Sequence, residues 1–460
     1  MPAAIEEEIR SGESRTLELK EAPTRDARKY AKTAVAFSNT HGGKIVFGVS
    51  DDRRVVGVEG DPFAVRDRIV DTIENLCCPR VNLDSYVAEV EGRSVVVVEV
   101  PVGRDRPYYL RDEGIDRGVY VRIAASTRQA EDGMLRDLLM EGQNRSFDRM
   151  DHTDWMEPGR LEKACGHLAD VLSRKLGEYV STDDLAALGL LRREESGLVP
   201  TRGFMLLADN PYPDARIECA CMLDDQGIEL GDRRTLEGPL IEQAESAVRY
   251  VLDHLSSRSE ISGLYRNDIY EIPQAAVREF VVNAVTHRSY SLPRPIRIAV
   301  WTDRVEVTSP GMMPGGMTVD GAMKGCSNPR NPLIARVFRE AGLSEGWGTG
   351  IRRSIALCAS FGLREPLIEE VDDSVRTTIF RKQSQAAEGR GGGVPVKNLD
   401  HAVLDILEEM PDLTLLELNM MLNGVSQSEL RGSINRLKAL GLLSRTGSKK
   451  TGHWTVIRNP

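Results

Sequence analysis

The sequence predicts a multidomain α+β protein whose C-terminal part is a winged helix-turn-helix. At 460 residues the chain exceeds the length at which a single hydrophobic core keeps growing. Helical and strand patterns are mixed along most of the chain. Residues 399–460 instead carry three short helical patterns followed by two strand-like segments, and a glycine-rich stretch precedes them. These three observations favour several separately packed units over one domain.

The composition places the chain among ordinary globular proteins. Its hydrophobic fraction is 41% and its charged fraction is 28%, which favours neither disorder nor a fibrous class. The N-terminal residues lack the basic and apolar regions of a signal peptide, and no apolar run approaches the roughly 20 residues of a membrane helix. We therefore expect a cytoplasmic protein without a membrane partner.

The first predicted unit covers residues 1–136 and mixes helix with strand. Residues 28–38 read as a helix, while residues 44–49 and 93–100 read as buried strands because apolar and β-branched side chains dominate them. Residues 137–200 show helical periodicity with few strand signals, so we expect a mainly helical connecting region.

The third predicted unit covers residues 201–382 and is of α/β type. Its predicted helices lie near residues 240–257 and 274–285, and its predicted strands lie at residues 296–302 and 304–309. Residues 383–398 are rich in Gly and small polar residues, which bury little surface, so we expect a flexible linker there.

The C-terminal unit, residues 399–460, has the order of elements of a DNA-binding winged helix. In the third helical pattern, apolar residues form an inward stripe that leaves polar residue types outward. The chain from Arg431 onward contains seven basic residues and no Asp or Glu, and the net charge of the whole chain is −10. We expect this face to bind double-stranded DNA, with protein–protein contact as the alternative. The candidate DNA-binding residues are Gln427, Arg431, Asn435 and Lys438 on the helix, and Lys449 and Lys450 at the tip of the hairpin.

A second candidate site begins on the helix predicted near residues 274–285. Glu279, Asn283 and His287 recur at intervals of four, so they project from one face of that helix. A carboxylate can polarise water and an amide oxygen can hold Mg²⁺ beside phosphates, although a solvated helix face would show the same spacing. Glycines that precede a helix let backbone amides approach a phosphate. The glycines in question are Gly311 and Gly315, and further along the chain Gly346, Gly348 and Gly350.

These residues resemble the GHKL-type ATP-binding domains of gyrases, MutL proteins and histidine kinases. The resemblance implies an α/β sandwich that binds ATP with Mg²⁺, with Glu279 as the water-activating carboxylate and Asn283 as the Mg²⁺ ligand. It also implies that the three glycines from Gly346 to Gly350 form the lid on the phosphates. Where the family has Asp-x-Gly-x-Gly, this chain has Ser-Pro-Gly ending at Gly311 and no carboxylate, so hydrolysis of ATP is left open.

The N-terminal unit resembles the Schlafen core domain of the AlbA type. The resemblance rests on residues 13–20, 36–52 and 120–128. In nuclease members of that family three acidic residues bind metal and cut RNA, and Glu13, Glu18 and Asp51 stand at the matching positions. A structural interpretation is also open, because Glu18 follows strand alternation and Asp51 suits a turn. A second divalent metal is expected only if this unit is a nuclease.

The leading hypothesis is an ATP-binding, DNA-binding transcriptional regulator, acting as a homodimer, in which the nucleotide state modulates DNA binding. One alternative is a metal-dependent nuclease that cuts RNA or single-stranded DNA, in defence against foreign nucleic acid. The other is a scaffold that uses its C-terminal unit for protein contacts.

Overall fold

A computed structural model gives the fold of the chain. The structure describes residues 2–24, 26–154, 157, 159–195, 197–224, 226–262, 265–344 and 348–382, and of the C-terminal part residues 403–404, 406–408, 410–413, 415, 418, 422, 427–439, 441–446 and 453–457. Among these residues, none of the helices combines the length and the apolar character needed to span a bilayer.

The N-terminal part is built around a four-stranded sheet. Its helices are α1 (Pro2–Ser11), α2 (Arg28–Asn39), α3 (Pro62–Leu76), α4 (Gly114–Arg117) and α5 (Asp132–Gly142). Its strands are β1 (Leu17–Lys20), β2 (Gly43–Phe47), β3 (Cys77–Cys78), β4 (Asp84–Val90), β5 (Arg93–Val100), β6 (Tyr109–Leu110), β7 (Tyr120–Ile123) and β8 (Ser126–Gln129). The sheet has the order β1-β2-β5-β4, in which β1 and β2 are parallel and the other pairs are antiparallel.

Alternation along the central strands explains why both faces of this sheet are covered. Ile45 and Phe47 pack with the buried residues of α2 and α3, whereas Val46 belongs to a second cluster with Ile5 and Ile9 of α1. Successive strand residues point to opposite faces. Helices on both faces therefore bury the run of valines in β5.

The middle of the chain is organised around a six-stranded sheet. Its helices are α6 (Arg160–Leu176), α7 (Thr182–Ala187), α8 (Arg202–Ala208), α9 (Leu240–Asp253), α10 (Gln274–His287), α11 (Val319–Met323), α12 (Pro332–Glu340) and α13 (Gly350–Ser360). Its strands are β9 (Leu191–Glu194), β10 (Gly197–Pro200), β11 (Ile217–Met222), β12 (Leu230–Leu236), β13 (Ser257–Ser262), β14 (Tyr265–Tyr270), β15 (Ile296–Val300), β16 (Arg304–Pro310), β17 (Leu367–Val371) and β18 (Ser374–Phe380).

The six-stranded sheet has the order β12-β11-β15-β16-β18-β17. Only β11 and β15 run parallel among its pairs. Helix α10 packs against α9, α13 and β16, and one buried cluster extends from Ala164 in α6 to Ile379 in β18. The connecting region and the sheet thus share one core.

The C-terminal part contains α14 (Gln427–Ala439), β19 (Leu443–Thr446) and β20 (His453–Val456), and the two strands are antiparallel. Leu430, Ile434 and Leu437 of α14 are buried in a cluster with Trp454. The indole Nε1 of Trp454 donates to the carbonyl oxygen of Leu413 at 2.8 Å. The apolar stripe predicted for this helix is therefore its buried side.

Candidate functional site

A cleft opens between α10 and the strands β16, β17 and β18. It encloses about 940 Å³, including the part that is open to solvent. Its lining residues include Glu279, Asn283, His287, Ser309, Gly311, Met312, Met313, Gly348, Gly350 and Thr377. Six residues that the sequence singled out, three from α10 and three glycines, thus line one cavity.

The face of α10 that carries the predicted acidic and amide groups forms one wall of the cleft. Asn283 Nδ2 donates to Glu279 Oε1 at 3.0 Å, across one helical turn. That bond uses the nitrogen end of the amide, so the oxygen end of Asn283 is the atom suited to ligate a cation. The four-residue spacing therefore produces a paired carboxylate and amide that face the cleft.

His287 lies at the C-terminal end of α10, where it lines the same cleft. Burial, and secondarily the nearby Arg330, lower the pKa of His287 to about 4. Desolvation disfavours the charged imidazole, and a neighbouring cation acts in the same direction. The ring is therefore neutral at neutral pH and can donate or accept one hydrogen bond.

Two glycines let the backbone at the start of α13 come close to α10 and to the loop that contains Gly325. At Gly350 a β-carbon would overlap the carboxylate of Glu279, and at Gly348, where φ is +68°, it would overlap the carbonyl oxygen of Gly325. Only glycine fits both positions without displacing a neighbour. Gly346 lies outside the described residues.

The remaining predicted glycines follow β16. Gly311 lines the cleft, and its amide nitrogen donates to the carbonyl oxygen of Asp373 at 2.9 Å. Gly315 lies in a short 3-10 turn, where its Cα faces the side chain of Asn328. Upstream, the hydroxyl of Ser309 donates to the carbonyl oxygen of Ala284 at 2.7 Å, which ties the end of β16 to α10.

The polar groups of the cleft match the groups that ATP and Mg²⁺ require. The cleft offers an amide oxygen at Asn283, a carboxylate at Glu279 and glycine backbone at the start of a helix. Among the described residues, no group of three or more His, Cys, Asp or Glu side chains could hold a metal by itself. Mg²⁺ is usually bound through one or two protein ligands plus substrate phosphates, so these residues fit a metal that is carried in by a nucleotide.

The three acidic residues of the N-terminal unit are not among any group of three or more His, Cys, Asp or Glu side chains that could hold a metal, as judged from the described residues. Glu13 and Glu18 both pair with Lys20, whose ammonium lies 3.8 Å from Oε1 of Glu13. Glu18 is buried and pairs with Arg122 Nη1 at 2.7 Å and with Lys20. Glu13 accepts from the amide of Leu19 at 3.1 Å. Asp51 lies in an exposed turn a few residues beyond the end of β2. The charge of Glu18 is therefore compensated by two protein cations.

Among the predicted DNA-binding residues, Arg431, Asn435 and Lys438 are exposed on α14. The ammonium of Lys438 lies 5.2 Å from the centre of the Trp454 ring, and the guanidinium of Arg445 lies 4.7 Å from it. The side chain of Gln427 and the residues Lys449 and Lys450 lie outside the described part. A basic surface therefore continues from the helix onto the hairpin.

Sequence reasoning missed the residues that bring the two largest units together at the cleft. Glu370 on β17 and Arg330 before α12 contact both the loop after β16 and the N-terminal part. Thr377 on β18 also lines the cleft. Strand alternation in β18 could have indicated Thr377, but no local signal indicates a pair such as Arg330 and Asp137.

Comparison with known proteins identifies two segments. Residues 13–131 match the family described as "Schlafen, AlbA_2", and residues 294–379 match the family described as "Putative ATP-dependent DNA helicase recG C-terminal". The chain thus carries a Schlafen/AlbA_2 segment followed by a recG-like segment. The second match includes the glycine loop and β16 to β18, whereas α10 precedes it.

One curated relative is the "Uncharacterized ATP-binding protein UU034" of Ureaplasma parvum serovar 3, which is 31% identical over 105 residues. This match covers 21% of the present chain and 30% of the relative's length.

Two solved structures are also similar. The DIP2311 protein of Corynebacterium diphtheriae is 21% identical, with a TM-score of 0.45 and coverage of 99% of this chain and 96% of that chain. The N-terminal domain of a "Putative ATP-dependent DNA Helicase RecG-related Protein" from Nitrosomonas europaea is 23% identical, with a TM-score of 0.22 and coverage of 28% of this chain and 92% of that chain.

Proposed function

We propose that the protein is an ATP-binding, DNA-binding transcriptional regulator whose nucleotide state modulates its binding to DNA. The observation that carries the proposal is the cleft that gathers Glu279, Asn283, His287 and the glycines 311, 348 and 350. These residues come from three separate stretches of the chain, and a solvated helix face would not bring them together. The ATP-binding relative and the recG-like segment support the same ligand.

The base and the phosphates of a nucleotide are assigned to different parts of the cleft. The methionines at 312 and 313 offer a polarisable apolar surface to a flat ring. Gly348 and Gly350 line the cleft at the N-terminal end of α13, whose dipole favours negative charge, so we assign the phosphates to this end of the cleft. The bound metal would supply charge neutralisation between the phosphates, with Asn283 as its protein ligand and Glu279 as the group that orients water.

The DNA-binding half of the proposal concerns α14 and the following hairpin, which we assign as a winged helix. Lys438 of α14 and Arg445 of β19 both lie beside the ring of Trp454, and contacts of basic side chains with phosphates supply much of the affinity for DNA. The Schlafen-type nuclease alternative has less support, because Arg122 and Lys20 already compensate the charge of Glu18.

Titration of labelled duplex DNA with and without ATP and Mg²⁺ tests the proposal, with nucleotide binding followed separately by calorimetry. We expect ATP to change the DNA affinity of the wild type, and Asn283→Ala to abolish that change while DNA binding itself remains. Asn75→Ala, on the exposed surface of α3, is the matched control. Absence of any heat or thermal shift with ATP or ADP would remove the nucleotide half. Cleavage of RNA or single-stranded DNA that depends on Glu18 would instead support the nuclease.

A further inference from the structure

One wall of the cleft is held by side chains outside the nucleotide-facing helix. This wall, residues 311–313, follows β16, and all three of its residues line the cleft. They also line a smaller neighbouring cavity together with Asn39, His41 and Asp137 of the N-terminal part. We call residues 311–313 the cleft wall. It separates the nucleotide-facing side from the boundary with the Schlafen-like unit.

Glu370 forms the first connection across that boundary. Its Oε1 accepts from the amide of Met313 at 2.6 Å, while its Oε2 lies 2.8 Å from Nη1 of Arg15 and 3.0 Å from Nε2 of His41. Arg15 Nη2 also donates to the carbonyl oxygen of Glu370 at 3.0 Å. The Glu370 side chain is only 5% exposed. A single buried carboxylate thus joins two residues of the N-terminal unit to the backbone of the wall.

The carboxyl of Glu370 is ionised in this setting. Burial by itself would raise the pKa of Glu370, but the bond from His41, the amide of Met313 and the charge of Arg15 outweigh it and hold the pKa below its ordinary value. A buried carboxylate whose cationic partner is removed keeps its desolvation cost without the compensating attraction. Loss of Arg15 should therefore disturb the position of Glu370 and of the amide that it holds.

Arg330 forms the second connection, at Met312, the wall residue next to Met313. Its Nη2 donates to the carbonyl oxygen of Met312 at 2.5 Å, and its Nε donates to the carbonyl oxygen of His287 at 3.2 Å. Its Nη1 pairs with Asp137 of α5 at 2.9 Å and lies 3.6 Å from Glu141. The Arg330 and Asp137 side chains are 11% and 13% exposed. This guanidinium therefore joins the wall, the end of α10 and α5.

We propose that the Schlafen-like unit positions the nucleotide cleft: through Arg15 and Asp137 it holds the wall in the shape that accepts the ligand. Arg15 and Asp137 are positioning residues, because they act on the cleft through Glu370 and Arg330. Binding in the cleft and docking of the N-terminal unit are then coupled, and by linkage each stabilises the other. The effect on ligand affinity rests on the proposed function, whereas the effect on the wall does not.

Hydrogen exchange of the full-length protein without nucleotide tests the positioning itself. We expect Arg15→Ala and Asp137→Asn each to speed amide exchange in a peptide spanning the wall by about tenfold, the size expected for loss of a charged hydrogen bond. Arg80→Ala, which removes an exposed ion pair with Glu74 in the same unit, is the matched control and should leave the wall unchanged. A midpoint of thermal unfolding close to that of the wild type shows that a variant is folded. If Arg15→Ala fails to fold, Asp137→Asn still tests the proposal, because it retains the size of the side chain.

Calorimetry with ADP and Mg²⁺ tests the coupling. Arg15→Ala and Asp137→Asn should weaken binding at least about fivefold, the lower end of typical coupling between sites, and ADP should slow exchange in α5 of the wild type. If the wild type binds no nucleotide, the proposed function fails. Amide exchange of the cleft wall alone then tests whether Arg15 and Asp137 position it. Unchanged exchange of the wall in both folded variants overturns the proposal. A loosened wall with unchanged affinity overturns the coupling.

Discussion

At the scale of single residues, the cleft depends on three side chains that lie on one face of α10. Glu279, Asn283 and His287 share a helix face because the helix repeats every 3.6 residues, and the structure places all three in the cleft. The partners of Glu18 could not be predicted, because Arg122 lies on β7 and far along the chain. The position of a residue along a helix or strand determines the direction of its side chain, but tertiary packing determines which residues that side chain contacts.

His287 gives the first prediction, which concerns pH. The pKa of about 4 for His287 in the folded protein lies below the ordinary value of 6.5, so between those values the unfolded chain binds more protons than the folded one. Stability should therefore fall as pH drops from 6.5 towards 4, by at most about 1.4 kcal/mol per pH unit from this group. Urea unfolding at pH 7 and pH 5 should show a smaller loss for His287→Gln than for the wild type. An equal loss in both proteins would show that His287 does not carry this effect.

Gly348 gives a second prediction, with Gly342 as its control. Both glycines have positive φ, +68° and +67°, so alanine is strained at either position. Only at Gly348 would the new methyl group overlap another backbone atom, the carbonyl oxygen of Gly325, whereas space around Gly342 is open. Gly348→Ala should abolish nucleotide binding measured by calorimetry, while Gly342→Ala should bind normally although it carries the same strain of a positive φ. Equal binding by both variants would argue against a phosphate near Gly348.

At the scale of elements, strongly patterned segments were predicted closely and short ones were not. The strand predicted at residues 93–100 is β5, and the helix predicted at 274–285 is α10, which extends to His287. The helix predicted at 240–257 ends at Asp253 instead. There the amide of Ser256 donates to the carboxylate of Glu271, which draws the chain towards the β13–β14 hairpin. That tertiary bond is not visible in a periodic pattern.

Helix α12 gives a third prediction, because its N-terminus is capped by a residue from a distant segment. Asp148 is fully buried, and its Oδ2 accepts from the amides of Leu333 at 2.6 Å and Ile334 at 3.0 Å. Asp148→Ala leaves both amides buried and unsatisfied, so it should cost about 2–5 kcal/mol of unfolding free energy. Asp148→Asn keeps one acceptor oxygen for both amides and should cost much less.

Asp61→Ala is the control for that cap. Asp61 accepts from the amide of Phe63 at the exposed start of α3, where water can replace the lost bond, so the expected cost is about 1 kcal/mol. Chemical unfolding of the three variants compares them directly. A loss for Asp148→Ala no larger than that for Asp61→Ala would mean that the amides of α12 find other partners.

At the scale of the whole molecule, the order of the units was predictable and their contacts were not. Composition and periodicity separate an N-terminal α+β part, a central sheet and a basic C-terminal part. The pairs that join the first two, Arg330 with Asp137 and Arg15 with Glu370, connect residues 193 and 355 positions apart. Nothing local to either partner distinguishes these charges from solvated surface residues, so only the assembled fold shows that they meet beside the cleft.

The basic C-terminal surface gives the last prediction, which concerns the response of the whole protein to salt. If Arg431 contacts a DNA phosphate, its replacement removes one released counterion, and the slope of log affinity against log salt should become shallower by about 0.9. Arg431→Ala should therefore weaken binding more at low salt than at high salt, while Arg174→Ala, an exposed arginine on α6, should leave both affinity and slope unchanged. Fluorescence anisotropy with a labelled duplex across a range of salt concentrations measures both quantities. Identical slopes for the wild type and Arg431→Ala would show that Arg431 does not contact a DNA phosphate.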